Sequence, residues 1–174
     1  MPLTRIKSLG ITDGTILGAD INSTFDLTGK TVTLPAGTGG KVLQVVQAKY
    51  STATTTTSAS LVTTNISGSI TPSSTSNKIF IIATFFSSVP TGGEGVFSIF
   101  RGATNLAGGT NNIFGQNYSA GGRSDYMSCL TFLDSPSTTS STTYAVYFKS
   151  DSGHTITTTG EGTESIINLI EIAG

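Results

Sequence analysis

Few residues in this chain are of types that could carry out chemistry, and its one histidine is the natural place to begin. His154 follows Asp151-Ser152-Gly153 in a polar stretch. A Ser-His-Asp site would have to use His154. The Asp-Ser-Gly triplet matches aspartic proteases, but that mechanism needs two carboxylates sharing a proton. The sequence has no second triplet, so a hairpin turn is the better interpretation of these letters.

Metal and phosphate sites are not indicated either. One histidine and one cysteine, Cys129, cannot build a zinc site, and the acidic residues lack calcium-loop spacing. "TGKT" at 28–31 resembles the end of a phosphate-binding loop, but Thr24 stands where that loop needs glycine. We therefore predict no enzymatic activity and no cofactor.

The composition also limits the partners. Charged residues make up 11% of the 174 residues and the net charge is -1, which argues against nucleic acid, because phosphates are neutralised by clustered Lys and Arg. The longest apolar run, 79–83, is too short to insert into a membrane, and "MPLTRIKSLG" lacks the apolar core of a signal peptide. So few charges cannot cover a soluble monomer in the usual way. We expect assembly into a homo-oligomer or particle, with a Thr-rich secreted surface as the alternative.

The elements that would position any site are predicted to be strands. Thr and Ser are abundant, and Thr suits a pleated surface. Apolar segments bounded by Gly, Ser, Asn or Pro recur from residue 41 to the end, and "ESIINLIEIAG" favours a closing strand over a short helix. The Thr-rich stretch 50–64 is interpreted as one or two outer strands with a loop. The expected fold is all-β: an antiparallel β-sandwich head of jelly-roll type over 39–174.

One predicted strand, "IFIIATFF" at 79–86, is apolar on both faces. One face would meet the core, so the other needs a covering loop or a neighbouring subunit. The residues assigned to a subunit interface are Ile79, Ile81, Phe85 and Phe86.

Residues 102–124 are rich in Gly and Asn and are expected to form an exposed excursion. Aromatic and amide side chains match the faces and hydroxyls of sugars. Within "GTNNIFGQNYSAGGRSDY" we therefore assign a receptor loop to Asn117, Tyr118 and Arg123.

The first 38 residues carry single apolar side chains between Gly, Asp and Thr, which cannot make a core of their own. We predict an extended arm that docks on other copies or on a host assembly. The residues expected to dock it are Leu3, Ile6, Leu9, Ile11, Ile16 and Ile21.

Several segments together resemble the small fibre or appendage proteins of tailed bacteriophages, especially phages of aquatic bacteria. They include "GGKVLQVVQAKYSTATTT", "ISGSITPSSTSNKIFI", "RGATNLAGG", "FLDSPSTTSSTTYAVYFKS" and "INLIEIAG". "ITDGTILGADI" also looks like the linkers that join fibre heads to their bases. The resemblance implies a virion surface protein, a homotrimer of β-sandwich heads attached by its arm to capsid or tail proteins and contacting host glycans. A free carbohydrate-binding lectin or adhesin remains the alternative.

Overall fold

Residues 41–109 and 111–174 are described by a computed structural model, and every regular element in them is a β-strand. The strands are β1 (Val42–Tyr50), β2 (Thr54–Thr56), β3 (Val62–Ile70), β4 (Lys78–Val89), β5 (Glu94–Arg101), β6 (Thr104–Asn105), β7 (Gly115–Tyr118), β8 (Ser124–Asp134), β9 (Thr142–Ser150), β10 (Ile156–Thr158) and β11 (Ser165–Ile172). The Thr-rich stretch divides into β2, a loop and the start of β3, as predicted. The closing segment is a strand, which confirms that prediction also.

The strands form two antiparallel sheets. The first sheet runs β1-β11-β4-β10-β2, with β8 on the other side of β4, and the second runs β3-β9-β5-β6, with β7 also paired to β5. Early strands pair with late ones: β1 with β11, β3 with β9, β4 with β8, and β5 with β7. This is a long hairpin wrapped over two sheets, the arrangement of a jelly roll. The predicted antiparallel β-sandwich is confirmed.

The core lies between the two sheets and follows strand alternation. In β4, Ile79 and Ile81 point inward and are fully buried, whereas Phe80 and Ile82 point outward and are partly exposed. Burying each such side chain contributes about 1.5–3 kcal/mol. The other large core side chains are Ile66, Ile70, Phe85, Val89, Phe97, Ile99, Leu130, Tyr144, Val146, Phe148, Ile156, Ile167 and Leu169.

Residues 102–124 differ from the expected exposed excursion, because they contribute β6 and β7 to the second sheet. Phe114 packs edge-on against Phe132, with ring centroids 5.3 Å apart, and so covers part of the core. The two strands span two and four residues, too few for an alternating pattern to be recognised.

A partly buried ionic cluster joins the two sheets. Arg101 of β5 donates from Nη1 to both carboxylate oxygens of Asp134 in β8, at 2.9 and 2.8 Å. The hydroxyl of Tyr144 in β9 donates to Asp134 Oδ2 at 2.7 Å. Burial, reinforced by the bond to Asp134, raises the pKa of Tyr144 well above its ordinary value. The polar side chains of Arg101, Asp134 and Tyr144 therefore each have a hydrogen-bond partner, as groups in a protein interior generally require.

A second buried carboxylate lies where β11 ends. Glu171 is 1% exposed and accepts hydrogen bonds from the Ser73 backbone N–H, Asn77 Nδ2 and Gln44 Nε2, each at 2.6 Å. The Ser73 hydroxyl also donates to it, at 2.8 Å. Burial alone would raise the pKa of Glu171, but these hydrogen bonds outweigh it and bring the pKa to about 2. The charge holds the β3–β4 connection against the first sheet.

Candidate functional site

Apolar side chains line the outward face of the first sheet, the side turned away from the core. Val45 of β1 pairs with Ile170 of β11. Ile170 pairs on its other side with Phe80 of β4, which in turn pairs with Leu133 of β8. Val45 and Leu133, at the two ends of this row, are 59% and 47% exposed. By strand alternation the same surface, named the outer apolar face, also carries Ile82, Phe86, Met127, Ile166 and Ile172.

Charged side chains occur only at the margins of the outer apolar face. Lys78 opens β4 and Asp125 lies near the start of β8. Lys49, at the end of β1, is paired with Glu164 at 2.9 Å. The row from Val45 to Leu133 and the row next to it contain no charge. The face can therefore be covered without burying an ion.

The structure corrects the predicted subunit interface, which consisted of Ile79, Ile81, Phe85 and Phe86. The first three are 0% exposed inside a single chain, and Phe86 is 7% exposed beneath the turn at Gly160. Ile79, Ile81 and Phe85 are therefore not available to a second subunit, and Phe86 lies on the outward side but is almost fully covered. The strand does have a second apolar face, as expected, but Phe80 and Ile82 carry it because they alternate with the buried positions.

A cleft of about 470 Å³ opens at one end of the outer apolar face. Residues from four parts of the chain line it, and it is named the Arg123 cleft. They include Phe86 and Ser88 from β4, Arg123 before β8, His154 and Thr157 around β10, and Glu161 from the β10–β11 turn. The jelly-roll wrapping brings these sequence-distant segments together.

Arg123 is held by two carboxylates. Its Nε donates to Asp125 Oδ1 at 2.9 Å and to Ser88 Oγ at 3.0 Å, and its Nη2 donates to Glu161 Oε1 at 2.6 Å. The bonds to Glu161 and then Asp125 raise the pKa of Arg123 above its ordinary value. A hydrogen bond from Ser88, followed by those from Arg123, lowers the pKa of Asp125. The charges of these three groups sum to -1, and Arg123 and Glu161 line the cleft.

The turn that presents Glu161 has an unusual backbone. Thr163 N–H donates to the Gly160 carbonyl at 2.9 Å, and the two residues between them, Glu161 and Gly162, have φ of 55° and 72°. Two positive φ values define a type I′ turn, which favours Asn or Gly at its first central position. Thr159, just before the turn, also has φ of 55°. Each non-glycine residue held this way costs about 1–3 kcal/mol, and such strain clusters at functional sites.

In the structure, the three residues of the predicted receptor loop lie in different surroundings. Arg123 lines the cleft, but Asn117 donates its amide to Ser87 and Ser128 hydroxyls at 2.6 and 3.2 Å and so links the two sheets. Tyr118 ends β7 with its side chain 59% exposed, outside the set of cleft-lining residues. Sequence reasoning missed Phe86 and Glu161 as cleft residues and treated His154 only as a turn residue. The signal for Glu161 is its position between two glycines in "GEGT".

The remaining sequence candidates have structural explanations where they are described. Asp151 pairs with Lys149 at 2.5 Å, and Ser152 Oγ accepts from the Glu94 N–H at 2.8 Å, so the Asp-Ser-Gly triplet serves a turn. Within 41–109 and 111–174, no group of three or more His, Cys, Asp or Glu side chains could hold a metal. Nor does this part of the chain contain a helix that could cross a membrane. The predicted docking residues Leu3, Ile6, Leu9, Ile11, Ile16 and Ile21 lie outside the described residues.

Comparison of the chain with protein-family models and with curated proteins finds no match.

Proposed function

We propose that this chain is a non-enzymatic structural protein on the surface of a tailed-bacteriophage particle. Three copies associate through the outer apolar face to form a fibre or decoration head, and residues 1–38 attach that head to other virion proteins. The head is then free to contact host surface glycans. The observation that carries the proposal is the outer apolar face itself, together with the sequence resemblance to phage fibre proteins.

An apolar row that runs without a break across the first sheet supports a covered face. A monomeric soluble protein rarely exposes a continuous apolar patch of more than a few hundred Å². Here Val45, Ile170, Phe80 and Leu133 form an unbroken row across four strands. Covering this row removes apolar area from water, which favours association by about 25 cal/mol for each Å² buried.

Further copies of the same chain are the occupant that this face suits best. Its most exposed apolar residues lie at opposite edges of one sheet: Val42 and Val45 on β1, and Met127 and Leu133 on β8. In a closed ring each subunit joins one surface to a different surface of the next. Two separate patches on opposite edges meet that requirement, whereas a two-fold dimer would join one patch to itself. The uncharged centre also matches a partner with an equally uncharged surface.

The test is the solution mass of the full chain by light scattering. We expect three times the 17.9 kDa of one chain. Val45→Asp and Leu133→Asp each place a charge in the contact and should give monomers with unchanged circular dichroism, because an unpaired buried charge costs several kcal/mol. The control is Val62→Asp, at an exposed position on β3 of the other sheet, which should leave the mass unchanged. A monomeric wild-type chain would refute the assembly.

A free carbohydrate-binding lectin or adhesin is the second candidate, and the Arg123 cleft favours it. Jelly rolls occur in both viral capsid and lectin domains, so the fold itself is compatible with either role. A lectin predicts sugar binding by the monomer and no need for residues 1–38. Incorporation of the chain lacking residues 1–38 into phage particles separates the two, since only the structural role requires the arm.

A further inference from the structure

We infer that the Arg123 cleft binds a neutral saccharide, either one hexopyranose ring or a short chain of such rings. The inference deepens the glycan contact in the proposed function and rests on it, but it does not require assembly into trimers. It also relocates that contact from the predicted loop of Asn117 and Tyr118 to a different set of side chains.

The size and lining of the cleft suit a small ligand that has both apolar and polar groups. Its 470 Å³ falls in the range of ligand pockets, about 300–1,000 Å³. Phe86 and Pro90 contribute apolar surface beside hydroxyl-bearing and charged side chains. A pyranose ring has a similar division, with a few C–H groups on one face and hydroxyls around its rim.

The polar groups are arranged as adjacent donors and acceptors. Arg123 Nη1 makes no hydrogen bond to any described residue, nor does Glu161 Oε2. A guanidinium donates only and a carboxylate accepts only, whereas each sugar hydroxyl does both. Two neighbouring hydroxyls can therefore bind Arg123 and Glu161 together. Because the ion pair at 2.6 Å already holds both side chains, less ordering is required on binding.

Charge selects against acidic ligands. Arg123 is compensated by both Asp125 and Glu161, so the group has a net charge of -1. A carboxylate or phosphate that accepted from the free Nη1 would lie beside both of these carboxylates and would be repelled by them. A neutral sugar meets no such repulsion.

The backbone at Glu161 is consistent with a binding role. A type I′ turn chosen for stability would carry Asn or Gly at this position, because both adopt positive φ at lower cost. Glu161 instead has φ of 55° and forms the only described ion pair between the β10–β11 turn and Arg123. The strained residue is thus the one that supplies the carboxylate to the cleft.

The test measures binding of defined sugars to the full chain by saturation-transfer NMR and titration. The probes are the methyl glycosides of glucose, galactose, mannose and N-acetylglucosamine, with glucuronic acid as the charged counterpart. We expect at least one neutral glycoside to bind, and glucuronic acid to bind more weakly than glucose. Glu161→Asn should reduce binding about tenfold or more, since it removes a charged hydrogen-bond partner.

The choice of variant and of control distinguishes a loss of sugar binding from a loss of the fold. Asn is favoured at this turn position, so Glu161→Asn should unfold no more easily than the wild type, and a loss of binding would not reflect a loss of fold. Glu164→Gln is the matched control, because it removes a nearby exposed carboxylate paired with Lys49 instead of Arg123. Absence of binding by every neutral glycoside, a preference for glucuronic acid, or full affinity in Glu161→Asn would overturn the inference. Light scattering on the same samples measures assembly separately. A trimer that binds no sugar would therefore refute the proposed sugar site and leave the proposed assembly standing.

Discussion

Glu171 is a carboxylate that the fold keeps ionised inside the protein. Four hydrogen bonds from Ser73, Asn77 and Gln44 replace the water it loses. Such a group stabilises the fold only while it is charged, since a protonated carboxyl would oppose donors on every side. The ordinary pKa of 4.5 falls to about 2 in the folded chain, so the unfolded chain takes up this proton first as the pH is lowered.

The first prediction concerns the acid stability that follows from this carboxylate. Its contribution, about 3 kcal/mol, is complete above pH 4.5 and is lost as the pH falls towards 2. Glu171→Gln should therefore be less stable than the wild type at pH 7, with the difference shrinking between pH 5 and pH 2. Urea unfolding at pH 7, 4.5 and 2.5 measures it. The exposed Glu164→Gln serves as the control, and a difference for Glu171→Gln that stays constant with pH would contradict the assignment.

At the scale of single elements, β4 shows how one strand serves two surfaces. Ile81 is fully buried in the core and Ile82, the next residue, faces outward. We predict that Ile81→Ala lowers the free energy of unfolding by about 2–4 kcal/mol, because it leaves a cavity, whereas Ile82→Ala lowers it by about 1 kcal/mol or less. Both are measured in the Val45→Asp background, which we expect to be monomeric, so that assembly does not contribute.

The variants Ile81→Ala and Ile82→Ala also distinguish effects on folding from effects on association. In the otherwise wild-type chain, Ile82→Ala should shift the mass measured by light scattering towards the monomer, because it removes apolar area from the outer apolar face. Equal losses of stability for the two variants in the monomeric background would show that the assigned inward and outward faces of β4 are wrong.

Most of the strands could be predicted from the sequence. For β4, however, the sequence could not show which side chains face the core. Period-two alternation and a run apolar on both faces predicted a strand covered on two sides. Which set points inward could not be predicted, because 79, 81 and 85 are as apolar as 80 and 82, so the pattern has no polar side to mark the outside. The prediction consequently placed a contact surface on Ile79, Ile81 and Phe85, which are buried in the core of a single chain.

The sequence did not predict that the residues of the Arg123 cleft lie together in one site. Arg123 and Glu161 are 38 positions apart and meet only because β8 and the β10–β11 turn lie beside the same end of β4. Asn117 had the right chemistry for a sugar site, but its amide is used between the sheets. A local sequence pattern identifies side chains whose chemistry suits sugar binding. The strand topology determines which of those side chains are free to contact a ligand.

In the sandwich as a whole, the outer apolar face is the exterior of one of two sheets. The outer apolar face has a central region without charge, with exposed apolar residues on β1 and β8 at its two edges. A trimer built on this face would bury it and leave the second sheet outward. Mass alone cannot distinguish that arrangement from a trimer formed through the second sheet, so a probe on the face itself is needed.

Cys129 provides that probe. It is a free, exposed thiol on the outward side of β8, opposite Thr84 and between Met127 and Thr131. If the outer apolar face is the contact, the thiol becomes covered on assembly and reacts only in the dissociated fraction. We predict that wild-type chain at high concentration reacts with a chromogenic disulfide reagent at least about tenfold more slowly than Val45→Asp, and that dilution removes the difference. A trimeric wild type whose Cys129 reacts as fast as in the monomeric variant would place the contact on another surface.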